Sequence, residues 1–312
     1  MFGLSSYKNC QSREFFALPV DFKKRFAVRN ATENQGFSPA WKDMDPENQQ
    51  RSDRDHKESY EHRRYANPLC PASEQLSELG SGIADFKRTM DQFYQECFAL
   101  SKEVLKCLAL ALNLPGGEDY FEPMMNDADP QLRLSYYPPV STSIITSAGA
   151  SKQQEKDGRI SEHTDYGLCT LLFQDGIGGL EVDPFHTGEY IPAHPKAGTV
   201  LINIGDLLHF LLNGRVKSTI HRVVAPPIPL ESAPMKKELL PARFSVPFFV
   251  HPAPNTTLDP ILLTGQEQDN YRGINAGEWR SWRLAKAYGM AEEEKHFLDK
   301  MGVGKEVTAA AI

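Results

Sequence analysis

Three residues of this sequence have the types and the order of a metal site. His163 and Asp165 stand two positions apart, and a second histidine, His221, follows downstream. Residues i and i+2 of a strand point to the same face, so the His163 imidazole and the Asp165 carboxylate can converge on one ion if this segment is extended. The run around His221 is rich in β-branched residues, which favours a neighbouring strand that delivers the third ligand.

Two imidazoles and one carboxylate leave three positions of an octahedral ion open, which is the arrangement of non-haem Fe(II) oxygenase sites. A His-x-Asp pair alone occurs by chance in many chains and carries little weight. The third ligand gives the pattern its weight, and the sequence therefore predicts an iron site at which substrates bind on the metal.

A second pair at strand spacing follows the histidines. Arg243 and Ser245 lie at i and i+2 in an apolar, β-rich run, so the guanidinium and the hydroxyl share one face of a strand. A planar guanidinium fork beside a hydroxyl suits a carboxylate, which it binds through charge-assisted hydrogen bonds. The alternative interpretation of Arg243 is a surface cation on an amphipathic strand.

The ordered set of motifs resembles the 2-oxoglutarate and Fe(II)-dependent dioxygenases of the isopenicillin N synthase-like group, from about Phe15 to the C-terminal helix. Within that group the pattern looks like that of thymine hydroxylase-type enzymes. The segments that carry the resemblance are Lys57-Glu58-Ser59-Tyr60-Glu61, Leu132-Arg133-Leu134-Ser135-Tyr136-Tyr137-Pro138, Glu162-His163-Thr164-Asp165-Tyr166-Gly167 and Ile204-Gly205-Asp206-Leu207-Leu208.

The resemblance implies that His163, Asp165 and His221 hold Fe(II) and form the catalytic centre, with 2-oxoglutarate and O2 as cosubstrates. The implied reaction oxidises a small, cyclic or aromatic metabolite by hydroxylation, desaturation or rearrangement and releases succinate and CO2. Enzymes of secondary metabolism share this scaffold, so thymine itself is not the expected substrate.

The resemblance also assigns the residues that bind the two organic ligands. It implies that 2-oxoglutarate chelates the iron while its distal carboxylate lies on Arg243 and Ser245, with a further hydrogen bond from the Tyr137 phenol. For the substrate it implies a hydrogen bond from Arg133. Tyr166 and Phe249 are expected to flank the substrate ring; the alternative is that they are ordinary core aromatics and that Arg133 is an ion-pair partner.

Other functions can use the same three ligands. A 2-oxoglutarate-independent non-haem iron oxidase would keep the iron site and form no succinate, although the Arg243 and Ser245 pair argues against it. A non-catalytic cupin-like metal-binding protein, or a zinc hydrolase, would bind a metal without this oxidative chemistry.

Composition narrows the class of protein. The chain has 312 residues, 40% of them hydrophobic, which is enough for a sizeable single core. A formal net charge of −7 argues against a nucleic-acid partner. We find no signal peptide at the start and no apolar run long enough to cross a membrane. Five cysteines without metal spacing suit a reducing compartment, and we predict a cytoplasmic protein with a small-molecule partner.

Periodicity predicts helices first and strands afterwards. Apolar residues at steps of three and four from Ile83 to Leu112 predict one long helix. A last helix is predicted from about Glu278 to Lys300. Short β-type runs separated by Pro and Gly turns are predicted at Leu132–Tyr137, Cys169–Gln174, Gly179–Val182, Thr199–Ile204, Ser218–Val224 and Arg243–Val250. Many short strands indicate a sandwich or barrel, and the resemblance narrows this to a mainly β, double-stranded β-helix core (jelly-roll, cupin-like) with flanking helices.

We expect one compact unit with two parts. Residues 1–130 form a mainly helical part packed on the core, and residues 131–312 form the oxygenase core with its C-terminal helix. Compared with the family pattern, the chain is expected to lack the first strand and helix. The segments Ser147–Arg159 and Pro226–Pro241 have the composition of loops, either at the mouth of the barrel or on the solvated surface.

Overall fold

The computed structural model describes residues 11–27, 35–40, 57–63, 85–141, 159–225, 239–261, 273–287 and 290–301. Its strands are β1 (Gly36–Ser38), β2 (Glu58–Arg63), β3 (Gln131–Tyr137), β4 (Val140–Ser141), β5 (Ile160–His163), β6 (Cys169–Gln174), β7 (Leu180–Asp183), β8 (Ile191–Pro192), β9 (Leu201–Ile204), β10 (Ile220–Val223), β11 (Leu239–Leu240), β12 (Arg243–Val250), β13 (Thr257–Leu258) and β14 (Ile274–Asn275). Its α-helices are a segment at residues 11–17, followed by α1 (Val20–Lys24), α2 (Phe86–Ala111), α3 (Glu122–Met125), α4 (Asp206–Leu211), α5 (Ala276–Ala287) and α6 (Ala291–Met301).

Two antiparallel sheets form the body of the protein. The larger sheet has six strands in the order β1-β2-β3-β12-β6-β9, and the smaller has four in the order β5-β10-β7-β8. Side chains from both sheets line one common cavity, so the sheets face each other. This arrangement is a double-stranded β-helix, and the predicted fold class is confirmed.

Strand register decides which side chains meet in the cavity. In the larger sheet, Arg243 of β12 lies opposite Tyr137 of β3, and Ser245 lies opposite Ser135. In the smaller sheet, His221 of β10 lies opposite His163 of β5, and an irregularity in the pairing follows immediately. The two registers bring residues that are distant in sequence to the same side of each sheet.

The long helix α2 covers the outer face of the larger sheet. Its buried side chains follow the predicted helical periodicity, and they include Phe93 and Tyr94. The Phe93 ring packs edge-on against Phe173 of β6 at a centroid distance of 5.0 Å, and the Tyr94 ring packs against Phe248 of β12 at 5.3 Å. These contacts make the helix a support for the larger sheet.

The observed elements differ from the predicted ones at both ends of the chain. The predicted helix from Glu278 to Lys300 is wrong as one element, because the structure has two helices, α5 and α6. The sequence between them contains Gly289, and glycine is unfavourable inside a helix. Near the N-terminus, β1 and β2 join the larger sheet beside β3, across the predicted boundary at residue 130. The division into two parts stays a prediction, and most of both predicted loops lies outside the described residues.

Candidate active site

The three predicted metal ligands come together at one end of the smaller sheet. His163 is the last residue of β5, Asp165 follows it in an irregular segment, and His221 lies directly across from His163. The two imidazole rings are 4.2 Å apart between centroids, and His221 Nε2 is 3.8 Å from Asp165 Oδ1. One ligand atom from each of the three residues lies within 4.8 Å of the others.

Backbone hydrogen bonds leave the same nitrogen of each histidine available. The Nδ1 atom of His163 is 2.9 Å from the carbonyl oxygen of Ser161, and the Nδ1 atom of His221 is 2.9 Å from the carbonyl oxygen of Thr219. A carbonyl oxygen only accepts, so each Nδ1 carries the proton and donates. Both Nε2 atoms therefore keep their lone pairs for a metal, with the rings held in orientation from behind.

Two neighbouring side chains orient the Asp165 carboxylate. Thr170 of β6 donates from Oγ1 to Asp165 Oδ2 at 2.6 Å, and Asn203 of β9 donates from Nδ2 to the same oxygen at 2.8 Å. The other oxygen, Oδ1, is the one nearer His221. Sequence reasoning missed Thr170 and Asn203, and the only signal for either was its position in a predicted strand.

The electrostatics of the cluster favour the protonation states that bind metal. Burial, followed by the nearby His221, lowers the pKa of His163 to about 3, so its imidazole is neutral at ordinary pH. Burial would raise the pKa of Asp165, but His221, His163 and the hydrogen bonds from Thr170 and Asn203 outweigh it and hold that pKa below its usual range.

The donor set fits Fe(II). Two imidazole Nε2 atoms and one carboxylate oxygen are the ligands of a facial triad, and the hydrogen bonds described above supply the outer partners that such ligands have in metal sites. All three residues also face the common cavity, which leaves room for further ligands on one side.

Arg243 and Ser245 lie on the opposite wall of the cavity, as their spacing predicts. Arg243 is 1% exposed, and it donates from Nη1 to Ser245 Oγ at 3.1 Å and from Nη2 to Gln174 Oε1 at 3.3 Å. The Arg243 guanidinium also lies 4.8 Å from the centroid of the Tyr137 ring. The three residues assigned to the cosubstrate are thus adjacent, and all three line the cavity.

Arg133 and Phe249, two of the three predicted substrate residues, also line the cavity. Arg133 shares one face of β3 with Ser135 and Tyr137, as strand alternation predicts. Its guanidinium lies 5.0 Å from the centroid of the Phe249 ring. Arg133 also forms an ion pair through Nε with Glu61, a carboxylate of β2 that is only 1% exposed.

The structure does not bring Tyr166 into the cavity. The chain leaves strand β5 after His163, and Tyr166 is not among the residues that line the cavity. Its ring lies instead against Arg283 of helix α5, with the guanidinium 4.5 Å from the ring centroid. The expectation that Tyr166 flanks a substrate ring is therefore not supported in this conformation, because the turn after Asp165 breaks the strand alternation on which side-chain direction depends.

Comparisons with known proteins agree with this geometry. Residues 128–252 match the family described as the 2OG-Fe(II) oxygenase superfamily, and the match includes every ligand and cosubstrate residue described above.

Within the described ranges of the chain, no helix is both long enough and apolar enough to cross a membrane.

Individual relatives extend the match beyond that segment. The chain is 31% identical over 294 residues to the 2-oxoglutarate-dependent dioxygenase htyE of Aspergillus rugulosus, covering 89% of this chain and 84% of that protein. It is 32% identical over 211 residues to the proline hydroxylase buaE of Petromyces alliaceus, where the match covers 66% of this chain and 61% of the relative's length. The crystal structure of the Neurospora crassa thymine hydroxylase with alpha-KG and thymine superposes with a TM-score of 0.74 at 33% identity, covering 91% of this chain and 83% of that one.

Proposed function

The chain belongs to the 2OG-Fe(II) oxygenase superfamily, whose members use Fe(II), 2-oxoglutarate and O2, and from this premise we propose that it oxidises a small ring-containing metabolite at the cavity between its sheets. The observation that carries the proposal is the joint presence in that cavity of the histidine and aspartate cluster and the Arg243–Ser245 pair. When bound, Fe(II) supplies the redox chemistry that couples O2 and 2-oxoglutarate to substrate oxidation, with succinate and CO2 as the coproducts.

The residues of the chain have separate tasks in this proposal. His163, Asp165 and His221 hold the metal through two Nε2 atoms and one carboxylate oxygen. Arg243 and Ser245 receive the distal carboxylate of 2-oxoglutarate, because the guanidinium has further N–H groups and the Ser245 hydroxyl, which accepts from Arg243, keeps its own O–H to donate to an anion. The Tyr137 phenol is assigned to the same carboxylate.

Arg133 marks the substrate end of the cavity. It stands four residues before Tyr137 on β3, so the two ends are about 13 Å apart along the strand. The Arg133 charge is already balanced by the buried Glu61, which also accepts a hydrogen bond from Gln131 Nε2 at 2.6 Å. An anion gains little from a cation that is already paired, so we propose an uncharged ring whose carbonyl oxygen accepts from Arg133 and whose face lies on Phe249.

Two neighbouring structures support this substrate class. The Neurospora crassa thymine hydroxylase was crystallised with alpha-KG and thymine, and also with alpha-KG and 5-formyluracil. Both ligands are flat, uncharged rings with carbonyl groups. The proposed substrate of this chain has the same chemistry, and a cyclic amide of secondary metabolism fits it as well as a pyrimidine.

One experiment separates this function from the alternatives. Fe(II) and 2-oxoglutarate are added together to the purified protein without oxygen, and we expect the weak visible charge-transfer band that requires both to be bound at one site. Air and a panel of ring compounds then follow, with succinate as the readout. A 2-oxoglutarate-independent oxidase would consume O2 without succinate, and a non-catalytic cupin-like protein would show no substrate-dependent turnover.

A test of the role of Arg133 requires a variant that leaves no buried charge unpaired. Arg133→Leu alone strands the buried Glu61 carboxylate, which costs about 3–5 kcal/mol, so it is combined with Glu61→Gln. We expect the double variant to bind 2-oxoglutarate normally, to oxidise the best ring compound of the panel more slowly, and to form more succinate per product. Glu61→Gln alone and the exposed Arg215→Leu serve as controls. Normal coupling in the double variant would make Arg133 a structural residue.

We also propose a cytoplasmic location and a small-molecule partner. Support for the partner comes from the mainly apolar cavity with polar groups at its two ends, which suits a small ligand. Cys97, Cys107 and Cys169 are free thiols, as in proteins of a reducing compartment.

A further inference from the structure

Arg159, the residue before strand β5, is a buried arginine with two unused donors. Its side chain is 0% exposed. Its backbone N–H donates to the carbonyl oxygen of Val223 at 2.9 Å, and its Nη2 donates to the carbonyl oxygen of Pro241 at 2.6 Å. Its Nε and Nη1 atoms have no hydrogen-bond partner in the part of the chain that the structure describes. Buried polar groups are nearly always satisfied, so these donors require an explanation.

Arg159 is not itself among the residues that line the cavity, but its contacts place it next to the cosubstrate end. Its chain neighbour Ile160 and its backbone partner Val223 both line the cavity, and they pack together with Tyr137. Its side-chain partner, Pro241, stands two residues before Arg243. Burial, followed by repulsion from the Arg243 guanidinium, lowers the pKa of Arg159, which is consistent with two neighbouring cations.

Neither guanidinium is directly paired with a carboxylate among the described residues. Arg243 contacts Ser245, Gln174 and the Tyr137 ring, all of them neutral, and neither arginine forms an ion pair there. Asp175, the acid whose charge reaches Arg159, accepts instead from two backbone N–H groups, those of Ile177 and Phe244. Two like charges that are buried without a carboxylate are unfavourable until an anion joins them.

We propose that Arg159 is a second guanidinium for the distal carboxylate of 2-oxoglutarate, acting beside Arg243 and Ser245. The proposal rests on the proposed function, because it takes 2-oxoglutarate as the cosubstrate of this cavity. A carboxylate has two oxygens and about four acceptor sites, so it can accept from both arginines and from Ser245 at once. The open Nε and Nη1 donors of Arg159 are the groups available for this bond.

This role gives Arg159 opposite effects on the two states of the protein. Without 2-oxoglutarate, Arg159 adds an uncompensated charge beside Arg243 and destabilises the fold. With 2-oxoglutarate bound, it adds a charge-assisted hydrogen bond and stabilises the complex. A residue that only supports the structure would stabilise both states, so the sign of the effect on the ligand-free protein separates the two roles.

The test compares wild type with Arg159→Met on two ligands. 2-Oxoglutarate and 2-oxobutyrate share the 2-oxo acid end, but 2-oxobutyrate lacks the distal carboxylate. Their dissociation constants are measured without oxygen, from the charge-transfer band with Fe(II). We expect Arg159→Met to lower the affinity for 2-oxoglutarate by roughly 10- to 100-fold, which corresponds to the loss of a hydrogen bond to a charged group. The affinity for 2-oxobutyrate should not change. The ligand-free variant should melt at a higher temperature than wild type.

Matched variants make every outcome decisive. Arg215→Met, at an exposed position, should change the affinity for neither ligand. Arg243→Ala should lower the affinity for 2-oxoglutarate and leave that for 2-oxobutyrate unchanged. If Arg159→Met does not fold, Arg159→Gln removes the charge and keeps a donor for the Pro241 carbonyl oxygen, and the same ligand ratios are expected. Equal weakening of both ligands with a lower melting temperature would make Arg159 structural and overturn the proposal, as would an unchanged preference for 2-oxoglutarate. Absence of any band in wild type would instead refute the proposed function.

Discussion

At the scale of single residues, hydrogen bonds to the atoms that do not bind metal determine what the candidate ligands can do. The Nδ1 protons of His163 and His221 are held by backbone carbonyls, and Asp165 Oδ2 is held by Thr170 and Asn203. Such outer partners fix the orientation of a ligand and its protonation state before any metal arrives. The site is therefore preorganised by groups that do not themselves coordinate.

Thr170→Val tests this preorganisation with an almost isosteric change. The substitution removes the hydroxyl that donates to Asp165 and leaves the carboxylate with one side-chain donor, Asn203. We expect the affinity for Fe(II) to fall by roughly 10- to 100-fold, as for other outer-partner substitutions. Anaerobic Fe(II) titration measures it, with Thr199→Val, an exposed threonine, as the control and His163→Ala as the reference for full loss. Wild-type affinity in Thr170→Val would show that the hydroxyl has no part in binding.

Sequence spacing predicted the residues that share one strand, and it could not predict those that meet across strands. Arg243 and Ser245 share a face of β12, as the i, i+2 rule predicts, and His163 and Asp165 also converge although Asp165 lies just beyond the end of β5. Glu61 and Arg159 reach the cavity residues through pairings between elements far apart in sequence, and no local pattern carries that register. The Tyr166 prediction failed for a different reason, because a turn changed the side-chain direction that a continuous strand would have given Tyr166.

At the scale of elements, the start of helix α4 holds the irregular segment that carries Asp165. The Asp206 N–H donates to the carbonyl oxygen of Asp165 at 2.8 Å, and the Leu207 N–H donates to the carbonyl oxygen of Gly167 at 3.0 Å. Gly205, just before the helix, makes this approach possible. A Cβ atom at Gly205 would lie 2.4 Å from the Gly167 carbonyl oxygen and 3.0 Å from that of Asp165.

Gly205→Ala should therefore disturb the metal site through the backbone alone. The φ angle of Gly205 is −105°, which alanine adopts without strain, so the expected effect comes from the collision and not from conformation. We expect reduced iron content after anaerobic reconstitution and a lower melting temperature. Gly176→Ala is the matched control, because a Cβ there would meet nothing within 4 Å. Full iron content in Gly205→Ala would mean that helix α4 can shift without moving Asp165.

Helix α5 holds the same segment from its other side. Arg283 forms a buried ion pair with Asp206 and donates to Thr164 Oγ1 at 3.2 Å, and its guanidinium lies against the Tyr166 ring. Trp279 Nε1 donates to the carbonyl oxygen of Tyr166 at 3.1 Å. Helix α5 thus contacts residues on both sides of Asp165.

A single and a double variant test the ion pair between Arg283 and Asp206. Arg283→Met leaves the Asp206 carboxylate buried without its cation, so we expect a loss of about 3–5 kcal/mol in the free energy of unfolding and weaker iron binding. Adding Asp206→Asn removes the stranded charge and should restore part of the stability. Urea unfolding measures both, with Lys286→Met on the exposed side of the same helix as the control. A double variant no more stable than Arg283→Met would contradict the pairing.

Element prediction from sequence succeeded where apolar periodicity was strong. Helix α2 and strands β6 and β12 have nearly the predicted bounds, because long regular patterns of buried side chains specify them. Strand β2 was missed as a strand because Glu58–Arg63 is polar in sequence although largely buried in the structure. The buried Glu61 carboxylate of β2 is satisfied by Gln131 and Arg133, which become neighbours only when the sheet forms.

At the scale of the whole molecule, a cation without an ion pair among the described residues lies at the cosubstrate end of the cavity, although the protein is acidic overall. The chain carries a formal net charge of −7, yet Arg133 and Arg243 line the cavity and Arg159 is buried close to Arg243. Two of these cations, Arg159 and Arg243, form no ion pair among the described residues. This asymmetry favours anion binding at that end of the interior, which agrees with the proposed division between an anionic cosubstrate and an uncharged substrate.

The same burial of titratable groups gives the fold a predictable sensitivity to acid. His251, next to strand β12, is 6% exposed, and burial followed by the nearby charges of Arg280 and Arg63 lowers its pKa to about 3. In the unfolded chain its pKa is about 6.5. The contribution of neutral His251 to stability is therefore complete above pH 6.5 and declines as the pH falls toward 3, because only the unfolded state takes up the proton. His163 adds a second such group when no metal is bound.

We expect the free energy of unfolding of the metal-free protein to fall by about 1.4 kcal/mol per pH unit for each of these two histidines below about pH 6.5. Urea unfolding at about pH 7.5, 6.5, 5.8 and 5.0 measures the slope where most carboxylates are still ionised. His251→Gln should reduce that slope by the contribution of about one proton, because one titrating group is lost. His194→Gln, at an exposed position, should leave the slope unchanged. An identical slope in wild type and His251→Gln would show that His251 takes up its proton as readily in the folded protein as in the unfolded chain, and the acid sensitivity would then have to come from other groups.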